Sequence, residues 1–333
     1  MNLEVFMSNG RNIYLNGNYI VRWKGLNLEK RCLRLGEDFI SEFPDSIDLK
    51  ITNKCPWNCP YCHESSTIDG ESFDLEKTKS ILSQLPQLPI EIAIGGGDVL
   101  DAPGITDLID WLNSRGNRTR VTVNVQDILK RRKEVKKLKD VGAIGISIDN
   151  LNFKLQNDTL EYPSLRSTFW PSATIFGYDS PTATCVIHII AGIFPVDQLD
   201  TLFEVSEYPI LVLGYKQWGR AKDSNLPEHS IQKFREKLIS IINKVRLEDY
   251  TSYIRSKTIG FDNLAIEQLR IKEFLPEDEW ENLYMGDEGQ HSMYIDAVRG
   301  EFARTSRSEE RTSWDDVGLI DFFNSLKNDS TNK

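Results

Sequence analysis

The 333-residue chain lacks the features that mark several classes of protein. No apolar run approaches the roughly 20 residues that a membrane-spanning helix requires. The opening Met1-Asn-Leu-Glu-Val-Phe-Met-Ser-Asn is too short and too soon polar to resemble a secretory signal. Internal repeats and low-complexity tracts are absent. An excess of basic charge is missing too: the formal net charge is -10, which argues against broad binding to a nucleic-acid backbone. The one dense basic run, Lys130 to Lys139, carries Val135 and Leu138 at helical spacing, so it reads as the solvated face of a barrel helix ahead of a nucleic-acid or partner contact. Cysteine is scarce, at five residues, and an odd, thinly spread set does not make a disulfide framework. The expectation is a cytoplasmic protein that contacts neither membrane nor nucleic acid and keeps its thiols reduced.

Three of those five cysteines nevertheless fall in one loop, Cys55-Pro-Trp-Asn-Cys59-Pro-Tyr-Cys62, directly after the strand-like run Ile47–Ile51. Soft thiolates suit iron–sulfur chemistry, and three in one loop can hold three irons of a [4Fe–4S] cluster, leaving the fourth iron open. A structural zinc site is the rival. It wants four N or S ligands, commonly as two pairs, and no second pair follows. His63 directly follows Cys62, and adjacent ligands are hard to place on one tetrahedron. Simple buried thiols do not explain the clustering, whereas Cys32 and Cys185 read as small buried hydrophobes. With Tyr61 just before the third cysteine, the loop resembles the signature of the radical S-adenosylmethionine (radical SAM) superfamily.

From residue 46, apolar runs at 46–52, 90–95, 119–125, 143–149, 184–190 and 208–214 alternate with amphipathic stretches at 74–85, 104–115, 127–139 and 196–206. That alternation predicts parallel strands with right-handed helical crossovers. Six such units suit an α/β fold, a partial (β/α)6 TIM-like barrel, which is also what the resemblance implies. Asn9-Gly10 and Asn16-Gly17 turns, with Ile13, Tyr14, Tyr19 and Val21 beside them, predict an N-terminal β-hairpin extension over 1–44. The barrel then spans 45–225. Residues 226–333 form a mostly helical C-terminal extension, with a short strand at 257–261, a hairpin at 292–303 and a frayed tail from Lys327. The stretch His291–Phe302 is similar to the start of the SPASM extension, but no cysteine follows Cys185 to build auxiliary clusters.

Barrel enzymes keep their chemistry at the C-terminal strand ends, where the remaining motifs fall. Ile94-Gly95-Gly96-Gly97-Asp98 ends the second strand; its glycines let backbone approach a ligand, and Asp98 can meet a cation. In the superfamily a Gly-Gly-Glu stretch here binds the amino group of SAM. This chain sets the carboxylate one position later and one methylene shorter, and a plain strand-to-helix turn is the competing reading. Asn124 ends the third strand, with Ser147 and Asp149 at the end of the fourth. The resemblance assigns such residues to ribose hydroxyls and the SAM carboxylate, while Asn124 or Asp127, and Asp149, equally suit helix N-caps. His188, on the fifth strand, is either a core histidine or a neighbour of the adenosine or substrate. The resemblance places Tyr61 under the adenine. After the sixth strand, Tyr215, Lys216, Gln217 and Arg220 gather cations, an amide and a ring that suit an anionic or aromatic substrate; the alternative is a polar surface loop.

The resemblance implies an enzyme with one [4Fe–4S] cluster held by Cys55, Cys59 and Cys62. An electron from a donor such as a flavodoxin or ferredoxin would split SAM into methionine and a 5′-deoxyadenosyl radical that takes hydrogen from a substrate. A peptide or protein substrate is favoured by the SPASM-like segment. A nucleotide or small metabolite is favoured by the single cluster and the cationic loop. A non-catalytic iron–sulfur sensor or electron carrier is the third reading, and an open iron beside Gly95–Asp98 argues against it.

Overall fold

The computed structural model describes residues 13–24, 27–151, 184–206, 208–224, 228–247, 259–284 and 286–330. The Asn9-Gly10 turn, the start of the strand expected at 257 and the last residues of the tail lie outside that set. The chain packs as two compact units, one of residues up to 56, 67–121 and from 286 onward, the other of 57–66 and 122–285.

The first unit opens with an antiparallel sheet, β1 (Ile13–Asn16), β2 (Tyr19–Lys24) and β3 (Asn27–Cys32). Gly17 takes φ +59 in the turn between β1 and β2, as an Asn-Gly hairpin needs. A buried carboxylate ties this sheet to the main one. Asp45 accepts from Asn16 Nδ2 at 2.7 Å and Tyr19 OH at 2.8 Å, and pairs with Lys30 Nζ at 2.7 Å.

Asp45 immediately precedes β4 (Ser46–Thr52), which pairs in parallel with β5 (Glu91–Gly96). The first residues of β6 (Arg118–Asn124) pair with β5 in the same sense. Ile92 and Ile94 are buried while Glu91, Ala93 and Gly95 are only partly so, the period of two expected of a strand. Helices α1 (Leu75–Leu82) and α2 (Ile105–Ser114) make the crossovers, burying Leu82, Leu108, Ile109 and Leu112. Asp74 caps α1 by accepting from the Lys77 N–H. The hairpin expected at 292–303 forms as β11 (Ser292–Asp296) and β12 (Glu301–Ala303). Its first strand also joins the main sheet, running parallel to β4 from Ser292 opposite Ser46 to Asp296 opposite Lys50. Lys50 and Asp296, both buried, pair there at 3.0 Å.

The second unit holds the end of β6, then β7 (Ala143–Ser147), β8 (Thr184–Ile190), β9 (Ile210–Leu213) and β10 (Ile259–Phe261), in that spatial order. The pairs from β7 to β10 are all parallel, so β10 adds a parallel strand beyond the six expected. The architecture is α/β, with a mostly parallel sheet of the partial-barrel type and a separate N-terminal antiparallel sheet. The helix expected over 127–139 starts earlier, as α3 (Val125–Lys130), and breaks at Arg131 before α4 (Arg132–Val135). Val135 and Leu138 are buried, and Arg132, Lys133, Lys136, Lys137 and Lys139 face water, as the basic run predicted. Cys185 is buried, and burial pushes its thiol up to about 12. Cys32 differs from expectation: it is half-buried at the end of β3, its thiol donating to the Glu37 carbonyl at 3.2 Å. Among the described residues, no helix is long and apolar enough to cross a membrane.

Candidate functional site

In the first unit, the chain leaving β4 is held in a backbone frame. Gly97 N–H donates to Thr52 O and Asp98 N–H to Lys54 O, each at 2.7 Å. From the other side, Cys55 N–H donates to Thr67 O at 2.7 Å, and Thr67 N–H to Asn53 O at 3.0 Å. Glycine is required for this approach. Gly96 has φ +120, and a Cβ on it would lie 2.4 Å from Thr52 O; one on Gly97 would lie 2.3 Å from Lys54 O. A Cβ on Gly95 would meet nothing within 4 Å. Asp98 is buried, and its Oδ1 accepts from Leu100 N–H at 3.0 Å, capping a short 3-10 turn over Val99–Asp101. The glycine stretch therefore fixes the arm that carries Cys55, whatever else it binds.

In the second unit, residues 57–66 carry Cys59 and Cys62 and are anchored at three places. Trp57 Nε1 donates to Asp127 Oδ2 at 3.3 Å, and Lys130 Nζ stands 5.3 Å from the centre of the Trp57 ring. Tyr61 OH donates to Asp149 Oδ2 at 3.0 Å. Arg220 Nε donates to Cys59 O at 3.1 Å, and its Nη1 to Ser66 O at 2.9 Å. Within the loop, Cys62 N–H reaches Cys59 O at 3.2 Å, and Asn58 and Ser65 take left-handed backbone with φ 46 and 52. Such non-glycine conformations cost energy and persist where surroundings impose them.

Cys55, Cys59 and Cys62 are half-buried thiols, none of them in a disulfide. Burial and then the neighbouring Cys62 raise the Cys59 thiol above its ordinary range. His63 Nε2 lies 3.3 Å from the Glu64 carboxylate Oε1. Ser66 Oγ is buried without a hydrogen-bond partner at the end of the loop. Among the described residues, no three His, Cys, Asp or Glu side chains already stand as a metal cage. The fit to an iron–sulfur cluster thus rests on the donor chemistry, three soft thiols and a braced loop.

The strand ends of the second unit place the other expected residues. Ser147, His188 and Leu211 face one another in register on β7, β8 and β9, all half-buried. The His188 ring lies over Gly145, where a Cβ would come within 2.2 Å of the imidazole Cε1. His188 is therefore not in the apolar core, which Ile187 and Ile189 fill from the opposite face. Asn124 caps α3, Oδ1 accepting from Gln126 N–H at 2.8 Å, in a capping box completed by Asp127. Asp149 engages Tyr61 and Asn150. Tyr215 is buried: its hydroxyl donates to Ala221 O at 2.5 Å and meets Ser224 Oγ, while Gln268 bonds both its backbone groups. It is a strut, not a ring open for stacking. Lys216 is half-buried, and Gln217 and Trp218 are exposed. Arg220 is directed at the cysteine loop. In the sequence Trp57 and Gly219 carry no assigned role and Asp127 only that of a cap candidate; the left-handed need of Gly219, φ +55, leaves a residue-type trace, and nothing local pairs Trp57 with Asp127.

Comparison with known proteins adds four findings. The sequence profile of the Radical SAM superfamily matches residues 49–163. The PqqA peptide cyclase of Bradyrhizobium diazoefficiens is 25% identical over 108 residues, which are 32% of this chain and 28% of that protein. Among solved structures, Streptococcus suis SuiB bound to precursor peptide SuiA superposes with TM-score 0.60 at 14% identity, over 85% of this chain and 65% of that one. Native anSMEcpe with bound AdoMet gives 0.54 at 12% identity, over 86% and 82%. At such identities the structural likeness is one of fold. The chain spans less than a third of the cyclase and just under two thirds of SuiB.

Proposed function

We propose that this chain, a member of the Radical SAM superfamily, holds a single [4Fe–4S] cluster on Cys55, Cys59 and Cys62 and modifies a peptide or protein. The observation that carries the reading is the cysteine loop, with three reduced thiols on a segment braced by neighbouring strand ends. When bound there, cluster and SAM together would supply radical chemistry able to take an unactivated hydrogen.

The chain's own residues then bind and orient. Gly95, open on its Cα side, and Gly96, Gly97 and Asp98 suit the SAM amino group. Asn124, Ser147 and Asp149 offer hydrogen bonds to the ribose and the methionine carboxylate, and His188 and the Tyr61 backbone lie toward the adenosine in this reading. Lys216 and Gln217, with the exposed Trp218, offer a cation, an amide and a ring to the substrate. Tyr215 supports that loop from beneath. A flavodoxin or ferredoxin would deliver the electron. The peptide assignment is supported by the named relatives, a peptide cyclase and a protein bound to a precursor peptide. The cationic Lys216 segment and the absence of any cysteine after Cys185 favour the second reading, a nucleotide or small metabolite.

The test is anaerobic reconstitution, followed by iron and sulfide analysis and mass spectrometry for 5′-deoxyadenosine with peptide and nucleotide pools compared. About four irons and four sulfides per chain are expected, with stimulation by peptides. Near eight irons would end the single-cluster claim; stoichiometric zinc without iron would end the enzyme reading.

A further inference from the structure

We infer that Arg220 is a positioning residue for the cluster loop, clamping the arc between Cys59 and Ser66 and placing a fixed positive charge beside two of the ligating cysteines. The inference rests on the reading that Cys59 and Cys62 are ligands, and it goes beyond it. The guanidinium forks to two carbonyls seven residues apart, Cys59 O and Ser66 O, and so brackets the arc that contains both cysteines. An ammonium group cannot reproduce that planar two-point contact. The preceding residue makes the approach feasible. Gly219 has φ +55, and a Cβ there would lie 2.6 Å from His63 O and Ser65 Oγ and 2.9 Å from Cys62 O. The segment before it, Gln217-Trp218, is exposed. One short stretch of chain therefore faces solvent at one end and grips a ligand cysteine's peptide at the other.

Two consequences separate this role from ordinary packing. A cation fixed near a cluster favours its reduced, more negative state, since net charge and hydrogen bonds tune such potentials. The clamp also orders the loop without any metal. Variants Arg220→Gln and Arg220→Lys are compared with Arg235→Gln, whose parent side chain makes a similar bond to the Leu269 carbonyl away from the loop.

In the metal-free protein, hydrogen exchange over 57–66 should quicken about tenfold or more in both Arg220 variants, as expected for losing a charge-assisted bond. It should be unchanged in Arg235→Gln. In the reconstituted protein, Arg220→Gln should shift the cluster potential to more negative values. Arg220→Lys should restore the potential but release iron faster than the parent. Parental exchange in both Arg220 variants overturns the clamp, as does equal quickening in Arg235→Gln. A parental potential in Arg220→Gln overturns the charge role. Failure of the parent protein to take up four irons overturns the cluster reading itself, while the exchange measurement still decides the clamp.

Discussion

Replacing Trp57 by Phe tests whether the cluster loop is braced by α3. The indole N–H reaches Asp127 Oδ2 at 3.3 Å, toward the long end of a hydrogen bond, and Lys130 sits over the ring at 5.3 Å. A bond to a charged acceptor contributes ~1.5–3 kcal/mol at good geometry, and the length here puts it at the low end. Asp127 is not stranded by the change, because its Oδ2 also accepts from Asn124 N–H at 3.2 Å and its Oδ1 pairs with Arg131 at 3.4 Å. Phe keeps a face for Lys130, so most of that ~0.5–1 kcal/mol survives. The net loss is ~1–2 kcal/mol, confined to opening of the loop, or about 5–30-fold in the open fraction. The assay is the rate of iron release to a chelator under anaerobic conditions, with the unfolding midpoint as a control. Trp57→Phe should release iron faster by that factor with little change in midpoint. Asp127→Asn should lower the midpoint as well, since it also damages the cap of α3. A parental iron-release rate in Trp57→Phe would refute the bracing argument.

Three further outcomes follow from the same structure. Cys55→Ala, Cys59→Ala and Cys62→Ala should each abolish cluster and SAM cleavage, while Cys32→Ala and Cys185→Ala keep both; loss of iron in a folded Cys185→Ala protein would overturn the ligand assignment. Asp98→Asn can still cap the Val99–Asp101 turn, so it isolates the charge: calorimetry should show SAM affinity lower by about one to two decades, and an unchanged affinity would move the amino-group contact off Asp98. His291 packs edge-on to Tyr19 and Phe39, and burial, with Lys30 and Lys327 nearby and Asp45 opposing them, lowers it from 6.5 to about 4. Its folded value lies below the unfolded one, so the unfolded chain takes the extra proton; this contribution is full above pH 6.5 and is lost as pH falls toward 4. His291→Phe should flatten the decline of the urea midpoint across that window, and identical pH profiles would refute it.

The strands were legible because their apolar runs are local signals: 46–52 in the sequence became Ser46–Thr52 in the fold. Pairing partners were not. The run Ser292–Asp296 reads as one arm of a hairpin from its own residues, and nothing in it names β4 as its second neighbour. Likewise the three-residue β10 is too short to announce itself as a parallel strand beside β9. At the candidate site, the cysteine spacing is a chemical pattern that survives without coordinates. The surroundings depend on side-chain direction. Tyr215 looked available by residue type but points into the loop's own support. Arg220 looked like a substrate fork but meets backbone carbonyls some 150 residues earlier, 161 and 154 positions away by separation. Asp98 and Asn124 carry a cap that either reading of the sequence allowed.

The parallel pairing of β11 with β4 has a consequence for biosynthesis. Lys50 and its partner Asp296 are 246 residues apart, so the strand that leads into the cysteine loop waits for one made late in translation. Until then one edge of β4 offers unpaired peptide groups, the kind of edge that recruits other chains. Long-range pairings of this sort also form slowly, because distant segments must meet before the contact rewards them. A nascent chain halted before Ser292 should therefore be held by chaperones or aggregate, and cofactor loading should follow release from the ribosome rather than accompany emergence of the loop.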